Sequence, residues 1–297
     1  MRLERSKNAK RNSFWGLMSS LLSILLPFLV RTILIKELGA EYLGLSGLLT
    51  SILTVLNITE LGFGTAIVYT MYKPLAEDNV ELLCALLNYY RGIYKKIGLL
   101  IFAVGLGILP FLDKLISGTI PEDVNIYTLY TIYLLNTCLS YWLFAYKGSI
   151  LVIYQRNDIK SKIGILTTIL LRIGQATIVI LTHNYYCYVG VLICVTILNN
   201  IITAAYVEKK YPQYICRGSI SPDLRKDIKT RVTGLMISKI SSVSRNAFDS
   251  IIVSAFLGLT MVGIYNNYFY IIDSVSGILM ILTTAIAAGV GNSIAED

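Results

Sequence analysis

Apolar residues form long runs along this chain, and polar residues gather in short stretches between the runs. About 20 consecutive apolar residues cross a bilayer as a helix, and by that measure the sequence predicts eight membrane spans. The spans are 13–35, 43–72, 97–112, 124–146, 163–182, 186–207, 233–258 and 262–290. The second and the eighth are long enough to require tilt or to extend beyond the membrane.

The composition agrees with this pattern, since 55% of the 297 residues are hydrophobic and only 15% are charged. A soluble domain carries about 25% charged residues, so we expect an all-α polytopic membrane protein. The net charge of +8 does not indicate nucleic-acid binding, because the basic residues lie between apolar runs and form no soluble patch. The five cysteines have no metal-site spacing and there is one histidine, so we expect no metal and no cofactor.

The basic residues predict the orientation in the membrane. With the N-terminus in the cytoplasm, 20 of the 26 Lys and Arg residues fall in cytoplasmic segments, and only Lys36 and Lys114 fall outside. The positive-inside rule then places both termini in the cytoplasm, and we expect the bacterial inner membrane as the location. Residues 79–96 are apolar on one side and basic at the end, which predicts a helix on the cytoplasmic membrane surface. An N-terminal extension of span three is the alternative.

Spans one and two align without a gap on spans seven and eight at an offset of 219 residues. The identities include pairs of glycines and serines: Ser19 with Ser238, Ser23 with Ser242, Gly39 with Gly258, and Gly44 with Gly263. Because six spans separate the copies, both copies start on the same side of the membrane, as in parallel-repeat transporters. We therefore expect a six-helix N-terminal lobe at 1–207, a cytoplasmic linker at 208–232 and the first two helices of a second lobe at 233–297.

Ionisable residues inside the spans are the candidates for function, because a charge in the bilayer is costly. The basic ones are Arg31, Arg172, Lys239 and Arg245. The acidic ones are Glu60, Asp249 and Asp273. The surplus of positive charge predicts a cationic, water-accessible cavity, which suits a substrate that carries phosphate. We expect the basic residues to bind that substrate and the acidic residues to couple an ion.

Polar residues also share narrow faces of spans one and seven at 100° per residue. The face of span seven consists of Ser238, Ser241, Ser242, Arg245 and Asp249, with Lys239 at its edge. The face of span one consists of Ser20, Ser23, Pro27 and Arg31. Pro27 removes the hydrogen bond to the Ser23 carbonyl, which predicts a kink and an exposed polar backbone group. The faces hold equivalent positions of the repeat, so we expect them to lie opposite each other, with Ser238 and Ser242 in the substrate site.

Structural interpretations of these charges stay open at this point. Arg245 and Asp249 have i,i+4 spacing and can neutralise each other. Arg31 lies near the end of its span and can extend to the outer interface. Arg172 can have a purely structural role, in which it packs its helix against another helix.

Several segments resemble a known family. They include "RTILIKELGAEYLGLSGLL" and "ELGFGTAIVYTMYKPLAEDN" near the N-terminus, and "IIVSAFLGLTMVGIYNNYFYIIDSVSGIL" near the C-terminus. These segments resemble bacterial polysaccharide flippases, the Wzx-like members of the multidrug, oligosaccharidyl-lipid and polysaccharide exporter superfamily. The resemblance implies two six-helix lobes around a central cavity that moves an undecaprenyl-diphosphate-linked oligosaccharide outward. Family members usually have twelve or more spans, so the eight predicted here indicate a truncated chain.

The sequence alone leaves alternatives to a lipid-linked oligosaccharide flippase. The chain can be a truncated remnant that does not transport, or one half of a transporter that needs a partner. A drug or cation antiporter of the same fold is another, but it requires acidic residues to dominate the cavity. An enzyme acting on the same lipid requires carboxylates for sugar chemistry, and the sequence has no D-x-D pair. The expected partners are the lipid-linked oligosaccharide, membrane lipids and other polysaccharide assembly proteins.

Overall fold

The computed structural model describes residues 5–60, 62–117 and 120–296, and that part of the chain is helical and contains no strand. The α-helices are α1 (Arg5–Glu37), α2 (Ala40–Leu56), α3 (Phe63–Ala76), α4 (Val80–Ile108), α5 (Ile126–Trp142), α6 (Gly148–Ile153), α7 (Asn157–Thr182), α8 (Tyr185–Lys210), α9 (Pro222–Leu257) and α10 (Leu259–Glu296). Short 3₁₀ helices occupy Asn57–Glu60, Leu109–Leu115 and Ala145–Lys147. The all-α prediction is confirmed for the described residues.

Four helical segments in the described residues are long and apolar enough to cross a membrane. They are most of α1, α4 together with the 3₁₀ helix that follows it, α7 and α8. Two further apolar helical segments, α2 and the last part of α9, are shorter. The chain is therefore a polytopic membrane protein, and the count of eight spans stays a prediction.

The single long span predicted over 43–72 is wrong, because the chain forms two helices there. α2 ends at Leu56, a 3₁₀ helix follows, and α3 begins at Phe63. Gly62 immediately precedes α3 with a φ of +122°, a backbone conformation that other residues rarely adopt. A Cβ on Gly62 would also lie 3.0 Å from the Cβ of Leu235 on α9. The glycine thus allows both the break and the close approach of α9.

The interpretation of 79–96 as a separate surface helix is also wrong, and the alternative, an extension of span three, is observed. α4 continues without a break from Val80 to Ile108. It is capped by Asn79, whose side chain accepts a hydrogen bond from the Leu82 N–H at 2.9 Å. The apolar side of the extension is buried in the protein, where it contributes Leu83, Leu86, Leu87, Tyr90 and Tyr94 to the core.

The helix packing brings distant parts of the chain together around α7. This helix lies against α1 on one side and α8 on another, and α8 packs in turn against α5. α5 contacts α4, while α2 contacts both α9 and α10. As a result, α1, α2, α5, α7, α8 and α10 form a continuous group, and the candidate site lies within this group.

Positions that the predicted repeat makes equivalent contact each other reciprocally where α2 packs against α10. A Cβ on Gly44 would collide with the backbone oxygen of Leu259, and a Cβ on Gly263 would collide with the backbone oxygen of Ala40. Ala40 and Leu259 are equivalent positions of the repeat, as are Gly44 and Gly263. Small residues allow two membrane helices to approach at backbone distance. The two contacts are therefore counterparts of each other, as an approximate two-fold axis between α2 and α10 requires.

The predicted linker 208–232 contains the start of a helix. α9 begins at Pro222, where the Ser221 hydroxyl accepts a hydrogen bond from the Leu224 N–H at 3.3 Å. From there the helix continues to Leu257. The division of the chain into two lobes and a linker stays a prediction.

Candidate functional site

Arg31 lies near the C-terminal end of α1, and its side chain is half-buried. Its Nη1 donates a hydrogen bond to the backbone carbonyl of Asn266 on α10 at 3.1 Å. The guanidinium carbon lies 4.3 Å from the centroid of the Tyr270 ring, which is cation–π geometry. Arg31 therefore contacts α10 inside the protein, and this placement favours the site interpretation over extension to the outer interface.

Tyr270 also binds the backbone that Pro27 leaves exposed in α1. Its hydroxyl lies 2.5 Å from the carbonyl oxygen of Ile24 and 3.4 Å from that of Ser23. Pro27 has no N–H to offer the Ser23 carbonyl, which lies within reach of this hydroxyl; the predicted kink stays a prediction. α1 remains helical through this position. One side chain of α10 thus stabilises both the proline turn and the nearby guanidinium.

Arg172 on α7 lies close enough to Arg31 for the two guanidinium groups to repel each other electrostatically. Its Nη1 donates to the side-chain oxygen of Gln175 at 2.9 Å. Its Nε is buried and has no hydrogen-bond partner in the described residues. Tyr133 of α5 and Tyr188 of α8 lie within electrostatic range of the same group. Arg31 and Arg172, named here the arginine pair, thus lie among five helices, and Arg172 keeps one buried donor unused.

No carboxylate neutralises the arginine pair in the described residues, where the salt bridges of arginines involve Arg11, Arg156 and Arg231. Beside the pair, the side-chain nitrogen of Asn266 is a second buried donor without a partner. Buried donors normally have acceptors, and buried charges are normally paired. The arrangement therefore favours an anion with several oxygens, such as a phosphate group.

Two of the acidic candidates lie on the helices of the second repeat. Asp249 on α9 is half-buried and accepts a hydrogen bond from the Tyr265 hydroxyl at 2.6 Å. Asp273 on α10 is exposed and lies within electrostatic range of Tyr270. Asp273 is thus connected to the arginine pair through the tyrosine that stacks on Arg31.

Glu60 lies in a different cluster, at the break between α2 and α3. It accepts a hydrogen bond from the Tyr94 hydroxyl at 2.8 Å, and the Tyr90 hydroxyl donates to Tyr94 at 2.9 Å. A Cβ on Gly64 would lie 2.7 Å from the Tyr90 hydroxyl, so the glycine leaves room for these groups. The tyrosines connect Glu60 to α4, whereas α5, α7, α8 and α10 surround the arginine pair.

The side chains of four predicted site residues lie outside the described residues. They are Ser238, Lys239, Ser242 and Arg245, all on α9. The predicted opposition of the polar faces of spans one and seven therefore stays a prediction, as does the role of these residues.

The sequence interpretation missed the neutral polar residues around the arginine pair, which are Tyr133, Gln175, Tyr188, Asn266 and Tyr270. A tyrosine in an apolar run does not interrupt the hydropathy pattern, so it gives no signal by that measure. The content of 21 tyrosines was a signal that could have been used. Gln175 was also detectable, because it follows Arg172 at the i,i+3 spacing that brings helix side chains together.

Nearly the whole chain matches one known family, since a family model described as polysaccharide biosynthesis protein covers residues 9–287. The chain belongs to the polysaccharide biosynthesis protein family. The resemblance to Wzx-like flippases is thereby confirmed. Searches of curated proteins and of solved structures found no match. For a member of the polysaccharide biosynthesis family, the membrane-length helices indicate a transporter that serves polysaccharide synthesis.

Proposed function

We propose that the chain moves an undecaprenyl-diphosphate-linked oligosaccharide across the cytoplasmic membrane, and that Arg31 and Arg172 bind the diphosphate. The observation that supports this function is the arginine pair itself. Its guanidinium groups lie within electrostatic range of each other, form no salt bridge in the described residues, and lie beside buried N–H donors without acceptors. In a membrane protein of polysaccharide biosynthesis, these features suit a lipid carrier with an anionic linkage.

The physical argument concerns the cost of charge in hydrocarbon. A diphosphate crosses a bilayer only if protein groups or water compensate its charge. Guanidinium groups bind phosphate oxygens through planar pairs of N–H donors, whereas an ammonium acts as a point charge. Two neighbouring cations also repel each other until an anion binds between them. Lys239, Arg245, Ser238 and Ser242 are proposed to extend this site from α9.

The acidic residues are proposed to couple transport to an ion gradient. Asp249 and Asp273 lie on the two helices of the second repeat, and Glu60 lies at the break in the first repeat. A carboxylate exchanges a proton or binds a sodium ion at low energetic cost, and either event changes its charge. A change of charge at Asp273 acts electrostatically on Tyr270, which contacts Arg31.

Both termini are proposed to lie in the cytoplasm of a bacterial cell, on the strength of the distribution of basic residues. Lys160 then faces the cytoplasm and His183 the outside, and both are exposed. Lys160→Cys and His183→Cys, each in a background without native cysteines, are treated with an impermeant thiol reagent in whole cells. Only the cysteine at 183 should react. Reaction at 160 alone would reverse the orientation.

Substitutions at Arg172 test the role of the arginine pair. Arg172→Lys keeps the charge but removes the planar donors, and a drop in transport of roughly tenfold is expected, as for the loss of one charge-assisted hydrogen bond. Arg172→Gln should reduce transport further. The matched control is Arg217→Gln, at an exposed position between α8 and α9. Transport is measured as surface polysaccharide restored to a flippase-deficient strain.

Membrane protein level is measured in parallel, since a variant that is not inserted says nothing about binding. Binding of undecaprenyl diphosphate to the purified protein in nanodiscs is the second readout, and it should decrease in the same order. Normal surface polysaccharide in Arg172→Gln at normal protein level would exclude the proposed role of the arginine pair.

A further inference from the structure

A cavity of about 240 Å³ lies among α5, α7 and α8. Its lining carries four hydroxyl groups, two amides and three aliphatic side chains, and no charged group. The lining residues are Ser140, Thr167, Thr168, Leu171, Leu192, Val195, Thr196, Asn199 and Asn200. Uncharged polar side chains thus line a space among the three helices that carry Tyr133, Arg172 and Tyr188.

The cavity lies on the inner side of α7. At 100° per residue, Thr168 and Arg172 lie about 40° apart around the helix axis. The exposed side chains Leu166, Leu170 and Ile173 occupy the opposite side. The Thr168 hydroxyl and the Arg172 guanidinium therefore share one face of α7.

α8 shows the same division. Tyr188, which lies within electrostatic range of both arginines, shares a face with Asn199, because eleven residues at 100° each place the two about 20° apart around the helix axis. The exposed Ile201 lies on the other side of the helix. The cavity therefore lies further along the side of α8 that carries Tyr188.

The distance between the two sites follows from the helix rise of about 1.5 Å per residue. Thr168 precedes Arg172 by four residues on α7, which is about 6 Å along the axis. Ser140 follows Tyr133 by seven residues on α5, which is about 10 Å. From Tyr133 on α5 and from Tyr188 on α8, the cavity lies toward the C-terminal end of the helix. From Arg172 on α7 it lies toward the N-terminal end. Because α7 is antiparallel to α8, these directions point to the same end of the protein.

The chemistry of the lining matches a sugar. Serine and threonine hydroxyls and asparagine amides both donate and accept hydrogen bonds, as sugar hydroxyls do. The Thr167 hydroxyl already lies 3.3 Å from the side-chain oxygen of Asn199. One turn before Ser140, the side-chain oxygen of Asn136 is buried and has no partner in the described residues. The volume is below the 300–1,000 Å³ typical of drug-sized ligands and is suited to a single sugar ring.

We propose that this cavity binds the sugar directly bonded to the diphosphate, and that it selects an uncharged sugar such as a neutral hexose or an N-acetylhexosamine. This inference rests on the proposed function, because the arginine pair must hold the diphosphate for the first sugar to be placed there. With the diphosphate bound to the arginine pair, a sugar acid at this position would bring a carboxylate next to that anion and into a lining without a cation, where its desolvation is uncompensated. The cavity thereby makes the first sugar a determinant of substrate choice.

An alkali cation is the competing ligand, since hydroxyl and amide oxygens also coordinate sodium. Before substrate binds, Arg172 disfavours the cation, because its positive charge lies one helix turn from Thr168, about 6 Å along α7, and repels a further cation. The lining also provides donors as well as acceptors, and a cation uses only acceptors.

The test uses the complete chain in nanodiscs and three probes: undecaprenyl diphosphate alone, the same lipid with one N-acetylhexosamine, and the same lipid with one hexuronic acid. The wild type should bind the N-acetylhexosamine lipid at least about tenfold more tightly than the other two, as expected for one or two added hydrogen bonds. Asn199→Leu should abolish that gain and leave the affinity for undecaprenyl diphosphate unchanged. The matched control is Thr177→Val, at an exposed threonine on the outer side of α7. If Asn199→Leu does not fold, Thr196→Val replaces it.

The outcomes separate the two levels of the proposal. A wild type that fails to bind undecaprenyl diphosphate rejects the proposed function and the sugar site with it. Normal binding of undecaprenyl diphosphate without a gain from the sugar rejects the sugar site alone. The sugar site is also rejected if Asn199→Leu weakens the binding of all three lipids equally. It is rejected as well if the effect of Asn199→Leu depends on the sodium concentration and not on the sugar of the lipid.

Discussion

Two groups of basic residues in this protein use the same side chains in opposite arrangements. At the start of α7, the fully buried carboxylate of Asp158 contacts Arg11 at 2.9 Å, Arg156 at 2.9 Å and Lys162 at 3.9 Å. The arginine pair has no such carboxylate in the described residues. The positive charge of the first group, named here the Asp158 cluster, is compensated by a carboxylate of the protein. The positive charge of the arginine pair has no such compensation in the part of the chain that the structure describes.

The comparison shows that the partners of an arginine, and not the arginine alone, distinguish a structural role from a functional one. The Asp158 cluster joins α1 to the start of α7, two segments separated by 147 residues, so its charges hold the fold together. The arginine pair adds repulsion and leaves donors unused. An arrangement that costs stability is expected where binding requires it.

The largest expected effect is at Asp158. Asp158→Asn leaves three basic side chains around a neutral group, and removing one partner of a buried ion pair costs about 3–5 kcal/mol. The thermal midpoint in nanodiscs should decrease strongly. The matched control is Asp227→Asn, whose exposed 2.9 Å contact with Arg231 is worth at most about 1 kcal/mol. Equal shifts for the two variants would remove the distinction between a structural cluster and a surface pair.

The next effect concerns the helix contact that places α10 beside Arg31. A Cβ on Gly47 of α2 would collide with the side-chain amide of Asn266, so Gly47→Ala should force that amide to move, at a cost of about 1 kcal/mol, the low end for overpacking. Binding of undecaprenyl diphosphate should decrease as well, because the buried amide donor of Asn266 moves away from its place beside Arg31. In Gly92→Ala, where a Cβ meets nothing within 4 Å, both readouts should stay near the wild type. Unchanged binding in Gly47→Ala would contradict the placement of Asn266 in the site.

Replacement of Arg172 by an apolar residue should stabilise the protein, in contrast to the two destabilising substitutions above. Arg172→Leu removes one of two repelling charges, and apolar residues are favoured in the membrane over arginine, so a gain of about 1 kcal/mol is expected. The thermal midpoint should rise slightly while transport is lost. A clear decrease of the midpoint, as for Asp158→Asn, would show instead that Arg172 is structural.

The smallest effect is expected at Tyr270. Tyr270→Phe keeps the ring over Arg31 and removes the hydroxyl that contacts the Ile24 carbonyl, a loss of about 0.5 kcal/mol at the low end for one hydrogen bond. Transport should remain close to normal, since the cation–π contact persists. The control is Tyr268→Phe on the same helix, where the residue is 68% exposed. A large loss of transport in Tyr270→Phe alone would assign the hydroxyl a direct part in binding.

Hydropathy predicted the helical fold and singled out Arg31 and Arg172, because charges in apolar runs are rare and costly. It did not predict the break at Gly62. Apolar residues continue on both sides of that glycine, and a positive φ has no hydropathy signal. The contact of Arg11 with the Asp158 cluster was missed for another reason, since Arg11 lies 147 residues from Asp158 and only the packing of α1 against α7 brings the two together.

The reciprocal contact between α2 and α10 has the form of an interface between two identical subunits. In a two-fold dimer, residue i of one subunit touches residue j of the other, and j touches i. Here Gly44 meets Leu259 while Gly263 meets Ala40, and the partners are equivalent positions of the repeat. A gene duplication that fused the two halves of an ancestral homodimer would leave this geometry within one chain.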